Sequence, residues 1–295
     1  MDATALAKRA ISARPVAATL RAVNRAPWLP EEARHRLYTR LTRRIDWDPT
    51  SVFTWTVPGG ETLRIHRDGT IRELDLTGRY EEDSLPLFAA CARRADAVLD
   101  IGSAEGIYAL VAAASSPSAA VVAFEPSPGQ HRRLAANLAL NAGWTGDRLR
   151  ASDLALANEE GTASFYDVPG NSSLNPDFRP DAPVVEVRVA RGDDVVAELL
   201  PGRRIDLVKV DTESTEPDVL RGLAATIERD QPTIFCEVLA GRTEAALQEL
   251  LDGWGYRTWW LGPDGPRGPE PIVGDPTYRH ANWLFLPEGR TPTTS

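Results

Sequence analysis

Lysine is almost missing from this 295-residue chain: Lys8 and Lys209 are the only two, and every other strong base is arginine. With heavy use of alanine and proline, this bias marks a GC-rich bacterial genome rather than a function. Cysteine is equally scarce. Cys91 and Cys236 sit in apolar sequence surroundings, which argues against a disulfide or a cysteine metal pair, so both are expected as reduced core residues of a cytoplasmic protein. No run of eighteen apolar residues occurs, so no membrane span is expected. The N-terminus lacks the apolar segment of a signal peptide. Internal repeats are missing, and low complexity is confined to the tail at 291–295. A basic catalytic surface is lacking too. Residues 1–46 carry a net +6, whereas the remainder carries −15, so no nucleic-acid partner is expected.

What is present suffices for one large domain with an appendage. Residues 3–24 and 30–45 read as two amphipathic helices. Pro30, Glu31 and Glu32 start the second, and Arg43 and Arg44 close it, as the helix macrodipole favours. Residues 1–50 are therefore expected to form a helical cap or lid, with a homo-oligomer contact as a further role. Residues 51–83 alternate around Pro58-Gly59-Gly60 and Arg67-Asp68-Gly69, which predicts a β-meander extension. After a helix near 84–94, strands are expected at 97–101, 120–124, 148–152, 205–210, 232–237, 256–261 and 282–286. Helices near 107–115, 128–142, 215–228 and 243–253 connect them. Two extra short strands, 163–168 and 184–189, flank a polar loop. This alternation predicts an α/β fold with a doubly wound, mostly parallel sheet spanning 84–290.

The densest signal is the strand Val98-Leu99-Asp100-Ile101 running into Gly102-Ser103-Ala104-Glu105-Gly106, then a second strand ending in Glu125-Pro126. Glycines let backbone approach a nucleoside, and the strand-end acid can accept from both ribose hydroxyls. A dinucleotide site wants G-x-G-x-x-G, with a pyrophosphate on the helix N-terminus. Asp100 and Glu105 would repel it. They suit a cationic ligand such as S-adenosylmethionine. Asp100, Gly102, Ser103, Glu105, Gly106, Glu125 and Pro126 are thus assigned to the cofactor, together with Tyr80 and Glu81 from the segment before the first core helix. Asp153 and Leu154, at the third strand end, are placed against an adenine.

Ligands of open parallel sheets bind beyond the carboxyl ends of the strands. The fourth strand ends at Lys209-Val210-Asp211-Thr212-Glu213, the fifth at Glu237, and the last begins near His280-Ala281-Asn282. Asp211, Glu213, Glu237, His280 and Asn282 are expected to share one pocket. Lys209 needs a carboxylate partner, either Asp211 or Glu237. Ser214 or Thr215 is expected to cap the helix at 216.

The ordered set D-I-G-S-A-E-G, A-F-E-P-S-P, Asn137 with Asn141, Ala155-Leu156 with Gly161, Ser172-Ser173-Leu174, K-V-D-T-E-S-T-E and P-T-I-F-C-E-V resembles the FkbM-type S-adenosylmethionine-dependent methyltransferases. The resemblance covers about 98–240 in detail. It implies a class I methyltransferase sheet whose last strand is antiparallel, and O-methylation of a sugar or polyketide hydroxyl in natural-product or antibiotic tailoring. Three positions depart from the family pattern. Ala104 and Glu105 replace an asparagine and an apolar residue, and Ser214 replaces a glycine where φ is expected to be positive.

Methyl transfer needs an aligned acceptor and removal of its proton. His280 titrates nearest neutrality and is the expected base, with Asp211 and Glu213 orienting the hydroxyl. Ser172, Ser173 and Asn282 are assigned to the acceptor. The alternative is Mg²⁺ on Asp211, Glu213 and Glu237; the metal-free base is preferred. A noncatalytic S-adenosylmethionine-binding or scaffolding protein is the rival from another class. A nicotinamide oxidoreductase is disfavoured by the missing fingerprint glycines. Trp254, Tyr256, Trp259, Trp260 and Trp283 read as sheet core before they read as a sugar-stacking face.

Overall fold

The computed structural model describes residues 51–67, 78–168, 172–177 and 180–293, with residues 30, 33, 71, 74 and 75 singly. Apart from Pro30 and Ala33, the two helices expected over 3–24 and 30–45 lie outside the described residues, as does the oligomer contact assigned to them. The chain divides into two compact units: 1–56 with 62–81, and 57–61 with 82–295.

In the smaller unit, β1 (Val52–Thr56) and β2 (Thr62–His66) pair antiparallel, Val52 opposite His66. Of the expected meander, the described residues show this hairpin, and Leu74 and Asp75 are helical. The Gly78 amide bonds the Leu74 carbonyl at 2.8 Å, closing a helical turn where a further strand was expected. Gly78, at φ +74°, ends it in the left-handed conformation that glycine tolerates.

In the larger unit α1 (Leu85–Ala92) precedes β3 (Ala97–Ile101), and α2 (Ile107–Ser115) leads to β4 (Ala120–Phe124). Then follow α3 (Pro128–Thr145), β5 (Leu149–Ser152), β6 (Ala155–Ala157), β7 (Gly161–Tyr166), β8 (Val184–Arg191), α4 (Gly192–Leu199) and β9 (Ile205–Val210). The chain ends through α5 (Glu216–Gly222), α6 (Ala224–Asp230), β10 (Thr233–Glu237), α7 (Glu244–Gly253), β11 (Tyr256–Gly262), β12 (Gly265–Arg267) and β13 (Asn282–Pro287). Eight strands form one sheet in the order β12-β11-β13-β10-β9-β3-β4-β5. β3, β4, β5, β9 and β10 run parallel, and β13 is antiparallel to both β10 and β11. The expected α/β architecture with an antiparallel last strand is therefore present. All five residues of β3 and of β4 are buried, which is why β4 reads as an unbroken apolar run and β3 as one broken only by Asp100.

Period-two alternation sorts the sheet. Leu99, Ile101, Val122, Phe124, Val208, Val210, Ile234 and Cys236 share one core with Val196, Val219, Leu220, Ile227, Leu247 and Leu251 of α4–α7. The alternate residues meet α1 and α2: Phe88 packs edge-on against Phe235 and Tyr108, and Lys209 lies over the Tyr108 ring. Both cysteines are free thiols, Cys236 fully buried. Tyr256, Trp259 and Trp283 are buried, as the sheet-core reading expected. β6, β8 and β7 form a separate small sheet. The helix at 192–199 and the strand at 155–157 were not anticipated, and the single helix expected at 215–228 is two. No helix among the described residues is long and apolar enough to cross a membrane.

Gly222 ends α5 against β6. A Cβ there would stand 1.9 Å from the Ala157 carbonyl oxygen, so two backbones must part. Gly222→Ala is expected to cost about 2–3 kcal/mol in denaturant unfolding. A loss below about 0.5 kcal/mol would show that this approach does not constrain the fold.

Candidate active site

The sheet order reverses between β3 and β9, so the crevice beyond their carboxyl ends is the switch point of the fold. The turn 102–106 lies there. Gly102 has φ +78°, and a Cβ on it would fall 1.8 Å from the Asp211 carbonyl oxygen. Gly106 has φ +86°, and a Cβ on it would fall 2.4 Å from Leu134 Cδ1. Ala104 holds φ +46° without that freedom. The amides of Gly102 and Ser103 both donate to the Phe124 carbonyl at 3.0 Å, which stitches the turn to the end of β4.

Carboxylates occupy the turn's free amides. Asp100 Oδ2 accepts the Ala109 N–H at 2.9 Å, in the first turn of α2. The helix terminus that would cradle a pyrophosphate is already neutralised by a protein anion. Glu125 takes the amides of Ala104 (2.9 Å) and Ser127 (2.8 Å), one on each oxygen. Burial pushes its carboxyl up to about 7, with repulsion from Glu105 and Asp167 adding to the rise. Glu105 is buried, and its carbonyl accepts from Asn137 Nδ2 at 3.0 Å. Asn141 in turn donates to the Asn137 carbonyl at 2.8 Å. The two asparagines brace the turn from α3. Pro126 is half-buried between Glu125 and Ser127.

Asp153 and Leu154 do follow β5, but Asp153 is exposed and ion-paired with Arg188 of β8. Leu154 packs against the main core. Tyr80 and Glu81 belong to the smaller unit and are not among the residues the larger unit brings together.

At the neighbouring rim, Asp211, Glu213 and Glu237 each present an oxygen within 4.8 Å of the others. Burial, then repulsion from Asp211 and Glu213, holds Glu237 well above the usual carboxylate range. Lys209, 1% exposed, donates to Asp211 Oδ2 and to Asn282 Oδ1, both at 3.0 Å. Asn282 faces Glu237 across the antiparallel β10–β13 pair, which is how the last strand delivers its start to this rim. Asn282 Nδ2 reaches Ser84 Oγ at 3.3 Å, and Ser84 bonds Tyr108 Oη at 2.9 Å and Asp83 Oδ1 at 3.1 Å. Asp83 Oδ2 then meets His280 Nδ1 at 2.7 Å. Of the residues expected to meet, Asp211, Glu213 and Glu237 cluster, Lys209 joins Asp211 to Asn282, and His280 connects to them through Asp83 and Ser84.

The serines take other work. Ser173 is fully buried and donates to the Glu213 carbonyl at 2.6 Å. Ser172 bonds the Val168 carbonyl at 2.7 Å and Asp167 at 3.1 Å. Both hold loops in shape. Neither Ser214 nor Thr215 caps α5: Thr215 Oγ1 donates back to Thr212. Glu216 Oε1 instead accepts from the amides of Thr212 and Ser214 at 3.2 and 2.9 Å. That clip holds Glu213 at φ +54° and Ser214 at φ +81°, so the strained position foreseen at Ser214 is present. Asp83, Ser84, Tyr108 and Glu216 were missed as site residues. The pair Asp83-Ser84 ahead of an apolar helix looks in sequence like an ordinary N-cap.

The raised Glu125 carboxyl has a consequence for stability. The folded chain keeps a proton that the unfolded chain, at the ordinary 4.5, has already released. Stability from this group is thus full below 4.5 and is lost as pH rises through about 7. Glu125→Gln cannot ionise, so between pH 5 and 8 its unfolding free energy is expected to fall less steeply than the parent's. Slopes are compared because the amide also loses one backbone partner. Parallel slopes in urea titrations would remove the buried-acid assignment.

Among curated proteins, Methyltransferase sdnD of Sordaria araneosa is 31% identical over 156 residues, 43% of this chain and 60% of its own length. The AMB antimetabolite synthetase AmbE of Pseudomonas aeruginosa is 29% identical over 204 residues, 54% of this chain and 9% of that protein. The crystal structure of methyltransferase FkbM from Methylobacillus flagellatus KT aligns with 65% of this chain and 43% of its own, at 14% identity and a TM-score of 0.46. The family model of the methyltransferase FkbM domain matches residues 100–258, more than half of the chain, and the chain belongs to that family.

Proposed function

We propose that this protein transfers a methyl group from S-adenosylmethionine to a hydroxyl oxygen of a small molecule, a sugar or a polyketide-type natural product. The observation that carries the cofactor reading is the Asp100 carboxylate on the first turn of α2. It closes the helix terminus to phosphate and leaves an acidic turn, with Glu105 and Glu125 beside it, that accommodates a cationic ligand. Family membership supports the same cofactor. Each Glu125 oxygen carries one backbone amide and keeps a lone pair for a ribose hydroxyl. Gly102, Ser103, Gly106 and Pro126 form the wall, with Asp153 and Leu154 as its outer contacts. The cofactor supplies an electrophilic methyl group on sulfonium.

The acceptor side rests on the rim. An alcohol is a weak acid, so a base has to take its proton as the new bond forms. His280 is that base. Asp211 and Glu213 accept from the hydroxyl and orient it, and Lys209 holds Asp211 in place. Burial and the neighbouring acids favour the neutral form of Glu237 beside them. Ser172, Ser173 and Asn282 act through the loops and side chains that they fix. The oxygen trio Asp211, Glu213 and Glu237 also has the hard chemistry of a Mg²⁺ site; the preferred reading is a shared-proton rim without metal. The name of AmbE, an antimetabolite synthetase, accords with natural-product tailoring.

Calorimetric titration with S-adenosylhomocysteine is expected to give micromolar binding, weakened at least tenfold in Asp100→Ala and Glu125→Ala. Methyl transfer to a panel of alkyl glycosides and polyketide alcohols is expected to persist after EDTA treatment. Loss of turnover on chelation, restored by Mg²⁺, would replace the base mechanism with a metal one. Binding without turnover of any acceptor would favour the noncatalytic reading.

A further inference from the structure

Asp83 lies 197 residues from His280 in the chain, yet its carboxylate meets the imidazole at 2.7 Å. The contact is set from both ends. The Asp83 side chain is 7% exposed, and its other oxygen takes the Ser84 hydroxyl. Ser84 occupies the N-cap position of α1 but makes no side-chain cap bond there. A capping serine stabilises a helix start, and here the hydroxyl serves Asp83, Tyr108 and Asn282 instead. On the other side, His280 is pinned by its backbone. Its amide bonds Asp275 at 3.1 Å, and its carbonyl accepts Trp260 Nε1 at 2.9 Å. The Trp260 ring meets the imidazole edge-on at 5.9 Å. A carboxylate only accepts hydrogen bonds, so Nδ1 carries the hydrogen and Nε2 presents a lone pair. Among the described residues Nε2 has no partner, and the His280 side chain keeps 24% exposure. A purely structural ion pair has no need of an open second nitrogen.

We infer that Asp83 is the positioning residue of the reaction: it fixes the tautomer and angle of His280, so that Nε2 takes the acceptor's proton. The inference rests on the methyl-transfer reading above. In the step, the acceptor hydroxyl gives its proton to Nε2 while its oxygen bonds the methyl carbon. The carbon–sulfur bond breaks, and its electron pair stays on sulfur, cancelling the sulfonium charge. The imidazolium formed stands against the Asp83 carboxylate and later yields the proton to water. The same network ties this base to the acid rim, since Ser84 and Asn282 link Asp83 to Lys209 and hence to Asp211.

The test is a double-mutant cycle in the full chain, read as kcat on the glycoside and polyketide alcohols of the panel, with S-adenosylhomocysteine affinity as the folding control. Asp83→Asn is expected to lower kcat by about 10²–10⁴-fold, while cofactor affinity stays within threefold. His280→Gln should lose as much, and the double variant no more than His280→Gln alone, because Asp83 acts only through the imidazole. Asp83→Glu should recover part of the loss. Losses that multiply in the double variant, or a kcat within threefold of the parent in Asp83→Asn, would overturn the role of Asp83 and leave methyl transfer intact. A parent protein that binds S-adenosylhomocysteine but methylates none of the panel would overturn both readings together. ¹⁵N spectra, simple in a chain with four histidines, should show the Nδ1–H tautomer at His280; an Nε2–H tautomer would also overturn the proposal.

Discussion

The buried ammonium of Lys209 is the charge on which the rest of the rim depends. Asp211, Glu213 and Glu237 crowd their oxygens into one small volume, and such a cluster is repulsive unless protons or cations offset it. Lys209 offsets it from inside the sheet, 1% exposed, with Asp211 and Asn282 as acceptors and the Tyr108 ring beneath it at 5.0 Å. A desolvated ammonium is costly alone. Its placement is therefore stable only because three different strands and helices bring acceptors and a π-face to the same point. Asp211 comes from the end of β9, Asn282 from the start of β13, and Tyr108 from the first turn of α2.

That arrangement couples two sites that the fold could otherwise have kept apart. The glycine turn and the β9 end touch where Gly102 leaves no room for a side chain against Asp211. The turn carries Asp100, Glu105 and Glu125, and the rim carries Asp211, Glu213 and Glu237. Between them runs backbone, which transmits position rather than charge. The acids also differ in kind. Asp100 and Glu125 are tied to backbone amides and act as fixed partners. Asp211 is 30% exposed and paired to a buried cation.

Much of the local architecture was legible in the residues. The buried β3, apolar but for Asp100, and the all-apolar β4 read as central parallel strands, and the acids near their ends followed from where apolar runs stop. Ser214 at a strained φ was readable only through the family resemblance, whose pattern has a glycine there. Long-range pairing was not readable. The Asp83-Ser84 pair has the look of a helix cap, and nothing local says that its hydroxyl turns away from the helix. Ser173 looked like an acceptor contact because it is polar and in a loop; burial and a bond to the Glu213 carbonyl made it a clamp. Asp153 read as an adenine contact, and nothing local said that Arg188 of the small sheet would pair with it.

The division has a physical basis. Alternation of apolar strands and helices, the glycine turn and the strand-end carboxylates are short-range properties. They depend on sterics, periodicity and side-chain type within a few residues, and the sequence by itself determined them. Which polar group answers which is a long-range property, settled when the sheet order brings β13 beside β10 and α1 beneath both. Only the tertiary structure decided that Lys209 serves Asp211 and Asn282, that Glu216 rather than a serine or threonine holds the strained loop, and that Asp83 reaches His280. Buried polar groups take whichever partners the packing leaves within hydrogen-bond reach.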